Sequence, residues 1–230
     1  MPPPPALLIF ARAPLPGETK TRLIPALGAE EAAELYRCFL LDAFTQARTV
    51  LAESVVFAAA PEHVPMLSAL REEISLPAEV MVQSGRDLGE RMLNAFRKVF
   101  HLGYRSAVIV GTDVPSLPWQ RVAEALSLAP ERDVVLGPCL DGGYYLVGMH
   151  AVIPRLFEEV TWGTRTVLVD TLRRARRLKL KVSLLEPWYD VDTPHDVEVL
   201  RAHLTALNLS GDEIPCPYTW QFLFTHPEVG

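Results

Sequence analysis

An aspartate follows a hydrophobic stretch in the middle of the sequence, at a position where a carboxylate can bind a divalent cation. Residues 107–110 are apolar and rich in β-branched side chains, and the chain then reaches Thr112 and Asp113 before Pro115 stops any further strand. Open α/β sheets bind ligands at the carboxyl ends of their strands, and Mg²⁺ is typically held by one or two carboxylates with substrate oxygens. Asp113 is therefore a candidate metal ligand. A role as a turn or helix-capping residue explains the same aspartate equally well.

A second acidic cluster lies near the end of the chain, at residues 188–196. Thr193 and Asp196 have the spacing of a helix start, so capping explains both. Asp190 and Asp192 are not needed for that cap, and at a spacing of two they share a face if the backbone is extended. We expect one of these two aspartates to meet Asp113 across the sheet and complete a metal site with two carboxylates.

Three cations lie in an irregular loop directly after the first predicted strand. Arg12, Lys20 and Arg22 occur within residues 12–23, where two prolines and a glycine exclude a regular helix or strand. Guanidinium and ammonium groups beside exposed loop amides can bind a diphosphate or triphosphate. The loop is not a Walker A motif, because it lacks the Gly-Lys-Ser/Thr order. The alternative is a solvated loop whose charges bind nothing.

The segment at residues 83–92 is a candidate wall for a nucleotide base or ribose. Asp87 and Glu90 have the spacing of a capping pair, which predicts a helix start. Gly85 and Gly89 are harder to explain, since glycine costs helix stability and often allows a close approach. We assign Gly85 and Asp87 to nucleotide binding, together with Thr112.

An Asp-Gly-Gly sequence follows the strand predicted at residues 134–136. Asp141, Gly142 and Gly143 precede an alternating apolar run that begins at Tyr144, which is the pattern of a hairpin turn. The glycines would also let backbone amides meet a ligand, with Asp141 available to a sugar hydroxyl or to the metal. We assign these four residues to acceptor binding, with the hairpin as the simpler explanation.

Strands and helices alternate along the chain, which predicts an α/β protein with a mostly parallel sheet. The predicted strands are residues 7–11, 55–59, 80–83, 107–110, 134–136 and 182–185, and the predicted helices are 30–50, 63–72, 87–100, 120–128, 154–178 with an interruption, and one beginning at Pro194. We expect a single-domain three-layer α/β/α sandwich over residues 1–210 and an irregular C-terminal tail over 211–230.

Composition limits the classes of partner. The 230 residues carry a net charge of −6, which argues against a nucleic-acid duplex as ligand. No apolar run is long enough to span a bilayer and the amino terminus does not resemble a signal peptide, so we expect a soluble cytoplasmic protein. Cys38, Cys139 and Cys216 are widely spaced, which suggests neither disulfides nor a cysteine-based metal site. A homodimer is compatible with the sequence.

In combination, the motifs resemble those of a known superfamily. They are Phe10-Ala11-Arg12-x-Pro14, Lys20-Thr21-Arg22-Leu23, Asp87-Leu88-Gly89-x-Arg91-Met92, Gly111-Thr112-Asp113-x-Pro115, Asp141-Gly142-Gly143-Tyr144 and Asp190-x-Asp192-Thr193-Pro194-x-Asp196. The sequence resembles the nucleotide-diphospho-sugar transferase superfamily with the GT-A fold, above all a bacterial branch of proposed glycosyltransferases. It is also similar to 2-phospholactate guanylyltransferase and to molybdenum-cofactor nucleotidyltransferases.

The resemblance implies an enzyme that uses Mg²⁺ or Mn²⁺ to transfer a group from a nucleotide sugar to a small-molecule acceptor. Asp113 and Asp192 would bind the metal, with Asp190 as a further candidate ligand, while Arg12, Lys20 and Arg22 would face the phosphates. Asp113, Asp192 and Lys20 would be the catalytic residues. The first loop departs from the glycine-rich loop of nucleotidyltransferases, which leaves the nucleotide and the reaction open. A nucleotidyltransferase that releases pyrophosphate and a non-catalytic nucleotide-binding protein are the alternatives.

Overall fold

A seven-stranded mixed sheet forms the centre of the protein. The computed structural model describes residues 4–225 of the chain. The sheet has the order β3-β2-β1-β4-β6-β5-β7, and only β6 runs antiparallel to its neighbours. The strands are β1 (Ala6–Ala11), β2 (Glu53–Ala58), β3 (Ala78–Val82), β4 (Ala107–Gly111), β5 (Val134–Pro138), β6 (Tyr144–Met149) and β7 (Val182–Leu184). This confirms the predicted fold class with a mostly parallel sheet.

Helices cover both faces of the sheet. They are α1 (Ile24–Leu27), α2 (Ala29–Ala47), α3 (Val64–Glu73), α4 (Leu88–His101), α5 (Gln120–Leu128), α6 (Pro154–Phe157), α7 (Val167–Arg177), α8 (Pro194–Ser210) and α9 (Pro217–Thr225). The predicted helix 120–128 is found with the same bounds, and the helix predicted over 154–178 is interrupted as expected. Asp87 caps α4, and Thr193 with Asp196 forms a capping box on α8.

Two hydrophobic cores lie on opposite sides of the sheet. Alternate residues of a strand point to opposite faces, so Leu7 and Ile9 pack with α2, α3, α5, α8 and α9, whereas Leu8 packs with α4, α6 and α7. All three side chains are fully buried. The near-continuous apolar strands that the sequence shows are therefore explained by a sheet covered on both faces. This arrangement is the predicted three-layer sandwich.

The end of the chain corrects one expectation. Part of the tail predicted as irregular forms α9, whose Phe222 and Leu223 are buried against the first core. The Asp42 carboxylate of α2 accepts hydrogen bonds from the backbone N–H groups of Tyr218 and Thr219, each at 2.9 Å, and so caps α9 from another helix. The proline-rich composition suggested an irregular tail, but Pro217 lies at the first position of α9, where proline is compatible with a helix. Residues 226–230 of the predicted tail lie outside the described chain.

The order of the strands creates a switch point between β1 and β4. From β1 the chain moves outward to β2 and β3, and it then returns to β4 on the other side of β1. Phe10 of β1 pairs with Gly111 of β4, so the residues that follow these strands emerge side by side. Such a switch point at the carboxyl ends of parallel strands is where open α/β sheets form a ligand crevice. No helix within residues 4–225 is long and apolar enough to cross a membrane.

Candidate functional site

Asp113 and Asp192 converge on one ammonium group at the switch point. The Lys20 Nζ lies 2.5 Å from Asp113 Oδ1 and 2.8 Å from Asp192 Oδ1, and it donates a further hydrogen bond of 2.7 Å to the carbonyl of Val191. The two aspartates are far apart in sequence, yet both contact the same side chain. The structure thus places the two carboxylates predicted to form one site within reach of a shared cation.

An irregular segment after β7 carries Asp192 to this position. Its Trp188 N–H donates to the carbonyl of Pro138 at 2.9 Å, and its Val191 N–H donates to the carbonyl of Asp113 at 2.8 Å. The segment therefore runs along the carboxyl edge of the sheet from the end of β5 to the end of β4. Backbone hydrogen bonds at both ends fix Asp192 beside Asp113.

Lys20 is almost completely enclosed by aromatic rings and carboxylates. Its side chain is 4% exposed, and Nζ lies 5.6 Å from the ring centre of Tyr36 and 5.4 Å from that of Phe39. Burial alone lowers the pKa of Lys20, but the charges of Asp113 and Asp192 outweigh it and raise the pKa above its ordinary value. Its backbone adopts a φ of +50°, a left-handed conformation that is uncommon for a residue other than glycine.

Tyr36 connects the ends of β1 and β4 beneath the site. Its hydroxyl accepts a hydrogen bond of 3.2 Å from the Arg12 backbone N–H and shares one of 2.7 Å with Thr112 Oγ1. Burial, followed by the charge of Asp113, raises the pKa of Tyr36 to about 12, so the hydroxyl stays protonated. Tyr36 lies within the helix predicted over residues 30–50, and the sequence pattern did not reveal this polar contact.

A cleft of about 640 Å³ opens next to the carboxylates. Most of the residues predicted to bind nucleotide or metal line it, namely Arg12, Lys20, Arg22, Asp87, Thr112, Asp113 and Asp192, and so does Tyr144, which was predicted to bind the acceptor. Gln83, Arg86 and Arg91 also line it, and the sequence had assigned none of these three residues a binding role of its own. Arg86 and Arg91 lie around the start of α4, in the segment that was predicted as a wall of the site. Gly85, Asp141, Gly142, Gly143 and Asp190 are absent from the lining that the described residues form.

Asp190 belongs to a second acidic group and, unlike Asp113 and Asp192, has no ion pair with Lys20 among the described residues. Ligand atoms of Cys139, Asp141 and Asp190 lie within 4.8 Å of one another. Burial, followed by the charge of Asp141, raises the pKa of Asp190 to about 6. Asp190 and Asp192 are two residues apart and would share a face of an extended strand, but the segment is irregular. The two side chains therefore contact different groups. Of the two candidate second ligands, Asp192 is the one that shares the Lys20 ammonium with Asp113.

The glycines singled out from the sequence make close contacts within the protein. A Cβ on Gly89 would lie 2.5 Å from three ring atoms of Trp162, and a Cβ on Gly142, which has a φ of +96°, would collide with the carbonyl of Arg165. The Gly143 N–H donates to Asp141 Oδ1 at 2.7 Å, so this carboxylate stabilises its own turn. The turn leads into the antiparallel pair of β5 and β6 and forms the predicted hairpin.

Comparison with solved structures shows an extended likeness to one protein. A proposed nucleotide-diphospho-sugar transferase from Desulfovibrio desulfuricans G20 is 31% identical, with a TM-score of 0.86 over 97% of this chain and 95% of that one. CMP:2-keto-3-deoxy-manno-octonic acid synthetase in complex with CTP is 13% identical, with a TM-score of 0.54 over 88% of this chain and 99% of that one. Rv0371c from Mycobacterium tuberculosis H37Rv in complex with manganese is 16% identical, with a TM-score of 0.54 over 87% of this chain and 98% of that one. The last two show a shared fold.

The sequence also matches a protein family over more than half of its length. Residues 41–164 match the family described as "uncharacterized protein conserved in bacteria (DUF2064)". No curated protein matches the sequence. With the family match and the 31% identical structure covered over nearly its whole length, the chain belongs to the DUF2064 family within the nucleotide-diphospho-sugar transferase superfamily.

Proposed function

We propose that this protein is a metal-dependent transferase that takes a sugar from a nucleotide-sugar donor to a small-molecule acceptor. The observation that carries this proposal is the convergence of Asp113 and Asp192 on Lys20, beside a cleft at the switch point of the sheet. A strand edge of this kind binds nucleotides in other open α/β folds. The cleft volume of about 640 Å³ lies within the usual range for small-molecule sites.

Arg12 and Arg22 are suited to bind the phosphates of the donor. Both residues are exposed and line the cleft in the loop after β1. A guanidinium presents several donors in a plane and can contact two phosphate oxygens at once. Arg86 already forms an ion pair with Glu90, so its contribution to phosphate binding would require an exchange of partners. The basic loop therefore gives the acidic protein a local site for an anion.

Asp113 and Asp192 would hold a divalent cation. Carboxylate oxygens are ligands that Mg²⁺ and Mn²⁺ accept, and this pair already surrounds a positive charge, so the residues fit such an ion. The manganese complex of the similarly folded Rv0371c supports a divalent ion in this fold. When bound, the ion would stabilise negative charge that develops on the phosphates of the leaving group. The two carboxylates would fix its position relative to Arg12 and Arg22.

Two reactions fit the same residues. Attack on the anomeric carbon of a nucleotide sugar releases a nucleoside diphosphate, and the 31% identical relative supports this transfer. Attack on the α-phosphorus of a nucleoside triphosphate releases pyrophosphate, and the CTP complex of a protein with the same fold supports this second candidate. Tyr144 and Asp141 are proposed contacts for the acceptor. Tyr144 lines the cleft, and Asp141 belongs to the hairpin turn that leads into Tyr144.

Product analysis distinguishes these reactions. The protein is incubated with Mn²⁺, a small-molecule metabolite extract as the source of acceptor, and either a panel of nucleotide sugars or the four nucleoside triphosphates. Nucleoside diphosphate and pyrophosphate are then measured separately, against a control without protein. We expect nucleoside diphosphate from at least one sugar donor, and we expect Asp192→Asn to abolish it while the exposed Asp212→Asn retains it. Pyrophosphate as the product would establish nucleotidyl transfer instead. Metal-dependent nucleotide binding without either product would indicate a non-catalytic binding protein.

A further inference from the structure

The hydrogen-bonding capacity of Lys20 is already used within the protein. A lysine ammonium carries three N–H donors and no acceptor. Three oxygen atoms surround the Lys20 Nζ, those of Asp113 Oδ1 at 2.5 Å, Val191 O at 2.7 Å and Asp192 Oδ1 at 2.8 Å. No donor is left for a phosphate oxygen. Lys20 could contact a phosphate only by giving up a contact to a carboxylate or to the Val191 carbonyl.

The carboxylates lie between Lys20 and the solvent. The Lys20 side chain is 4% exposed, whereas those of Asp113 and Asp192 are 51% and 37% exposed. The rings of Tyr36 and Phe39 lie against the ammonium as well. All three residues line the cleft, but the two carboxylates present far more accessible surface than the lysine side chain does. A ligand that enters the cleft therefore has much more carboxylate surface than lysine surface to contact.

We propose that Lys20 is a positioning residue that stays in place when ligands bind. It holds Asp113 and Asp192 together and offsets part of their negative charge. As a result, the cleft binds a divalent cation mainly together with a polyphosphate. This inference rests on the proposed function and gives Lys20 a role other than the direct phosphate contact that the sequence suggested. Two carboxylates that converge without a counter-charge would repel each other. The ammonium removes this repulsion, and it also weakens the attraction for a free cation. A polyphosphate brings the negative charge that restores this attraction.

Binding of Mn²⁺ to the full-length protein tests the electrostatic part of the inference. Its dissociation constant is measured by electron paramagnetic resonance with and without inorganic pyrophosphate, for the wild type, Lys20→Met and the exposed control Lys98→Met. We expect Lys20→Met to bind free Mn²⁺ roughly tenfold or more tightly, because one unit of positive charge beside the site is lost. Pyrophosphate should tighten Mn²⁺ binding much less in this variant than in the wild type. Lys98→Met should match the wild type. Unchanged or weaker binding of free Mn²⁺ by folded Lys20→Met overturns the proposal.

A measurement on the wild type tests whether Lys20 stays in place and does not depend on a variant that folds. The chain has four lysines, and Lys98, Lys179 and Lys181 are exposed, so in protein labelled with ¹⁵N-lysine only the Lys20 ammonium should exchange its protons slowly enough to give a resonance. We expect this resonance to persist when Mg²⁺ and pyrophosphate are added together. Its loss, while pyrophosphate binds, means that Lys20 leaves the carboxylates and overturns the inference alone. If the wild type binds no pyrophosphate with or without the metal, the proposed function fails, and the effect of Lys20→Met on free Mn²⁺ still decides the role of the lysine.

Discussion

The carboxylate of Asp42 should make the protein less stable as the pH rises from about 4 to about 7. Asp42 is 1% exposed, and it accepts hydrogen bonds from Tyr218 N at 2.9 Å, Thr219 N at 2.9 Å and Thr219 Oγ1 at 2.6 Å. Burial raises the pKa of Asp42 to about 7, although the contacts with Thr219 and Tyr218 act in the opposite direction. The folded protein therefore retains a proton that the unfolded chain releases.

The sign and size of the effect follow from the two pKa values of Asp42. The ordinary pKa of the group is 3.8, so between that value and about 7 the folded state binds more protons than the unfolded state. The free energy of unfolding then decreases with pH across this range. At about 1.4 kcal/mol for each pH unit, the loss is at most about 4 kcal/mol and is complete near pH 7.

Urea unfolding followed by circular dichroism between pH 5 and pH 8 checks this prediction. The Asp42→Asn variant cannot titrate and should lose the decrease between pH 5 and pH 7, whereas the exposed Asp212→Asn control should keep it. Replacement by alanine leaves the buried N–H groups of Tyr218 and Thr219 without an acceptor, which costs about 1–3 kcal/mol for each. If the wild type instead gains stability from pH 5 to pH 7 and Asp42→Asn removes that gain, Asp42 is ionised in the fold and the reasoning is refuted.

Two glycine substitutions test the close contacts near the site. Gly89→Ala should lower the free energy of unfolding by about 1–3 kcal/mol, because the new methyl group meets the Trp162 ring. When Gly89→Ala is combined with Trp162→Ala, the two effects on the free energy of unfolding should be clearly non-additive. Additive effects in urea unfolding would exclude the contact. Gly142→Ala should cost more than Gly163→Ala, since both positions have a positive φ but only Gly142 lies against the backbone of Arg165, and equal thermal shifts for the two variants would contradict this.

The sequence predicted the elements of the fold well but not the neighbours in its sheet. Apolar runs bounded by glycine or proline marked β1 and β4, and helical periodicity marked α2. The insertion of antiparallel β6 between β4 and β5 depends on contacts between distant strands, which no local pattern encodes. The helix α9 was missed because its stability comes from burial against α2 and from the Asp42 cap rather than from a periodic apolar face.

The two carboxylates of the candidate site could be predicted from the sequence, because each has a recognisable position relative to a strand or a helix start. Asp113 stands out because it follows a buried strand, and Asp192 because the neighbouring helix cap does not require it. The sequence could not decide whether Asp190 or Asp192 lies beside Asp113, because that depends on the irregular path of the backbone after β7. The enclosure of Lys20 was also not predictable, because its loop follows no periodic pattern and its charged partners, Asp113 and Asp192, are distant in the sequence.

The position of the bound metal distinguishes most directly between the two acidic groups. Crystals grown with Mn²⁺ and pyrophosphate would give an anomalous difference peak for manganese. If Asp113 and Asp192 hold the metal, the peak lies within about 2.5 Å of a carboxylate oxygen of each. A peak between Cys139, Asp141 and Asp190, with none at the first pair, would contradict this assignment.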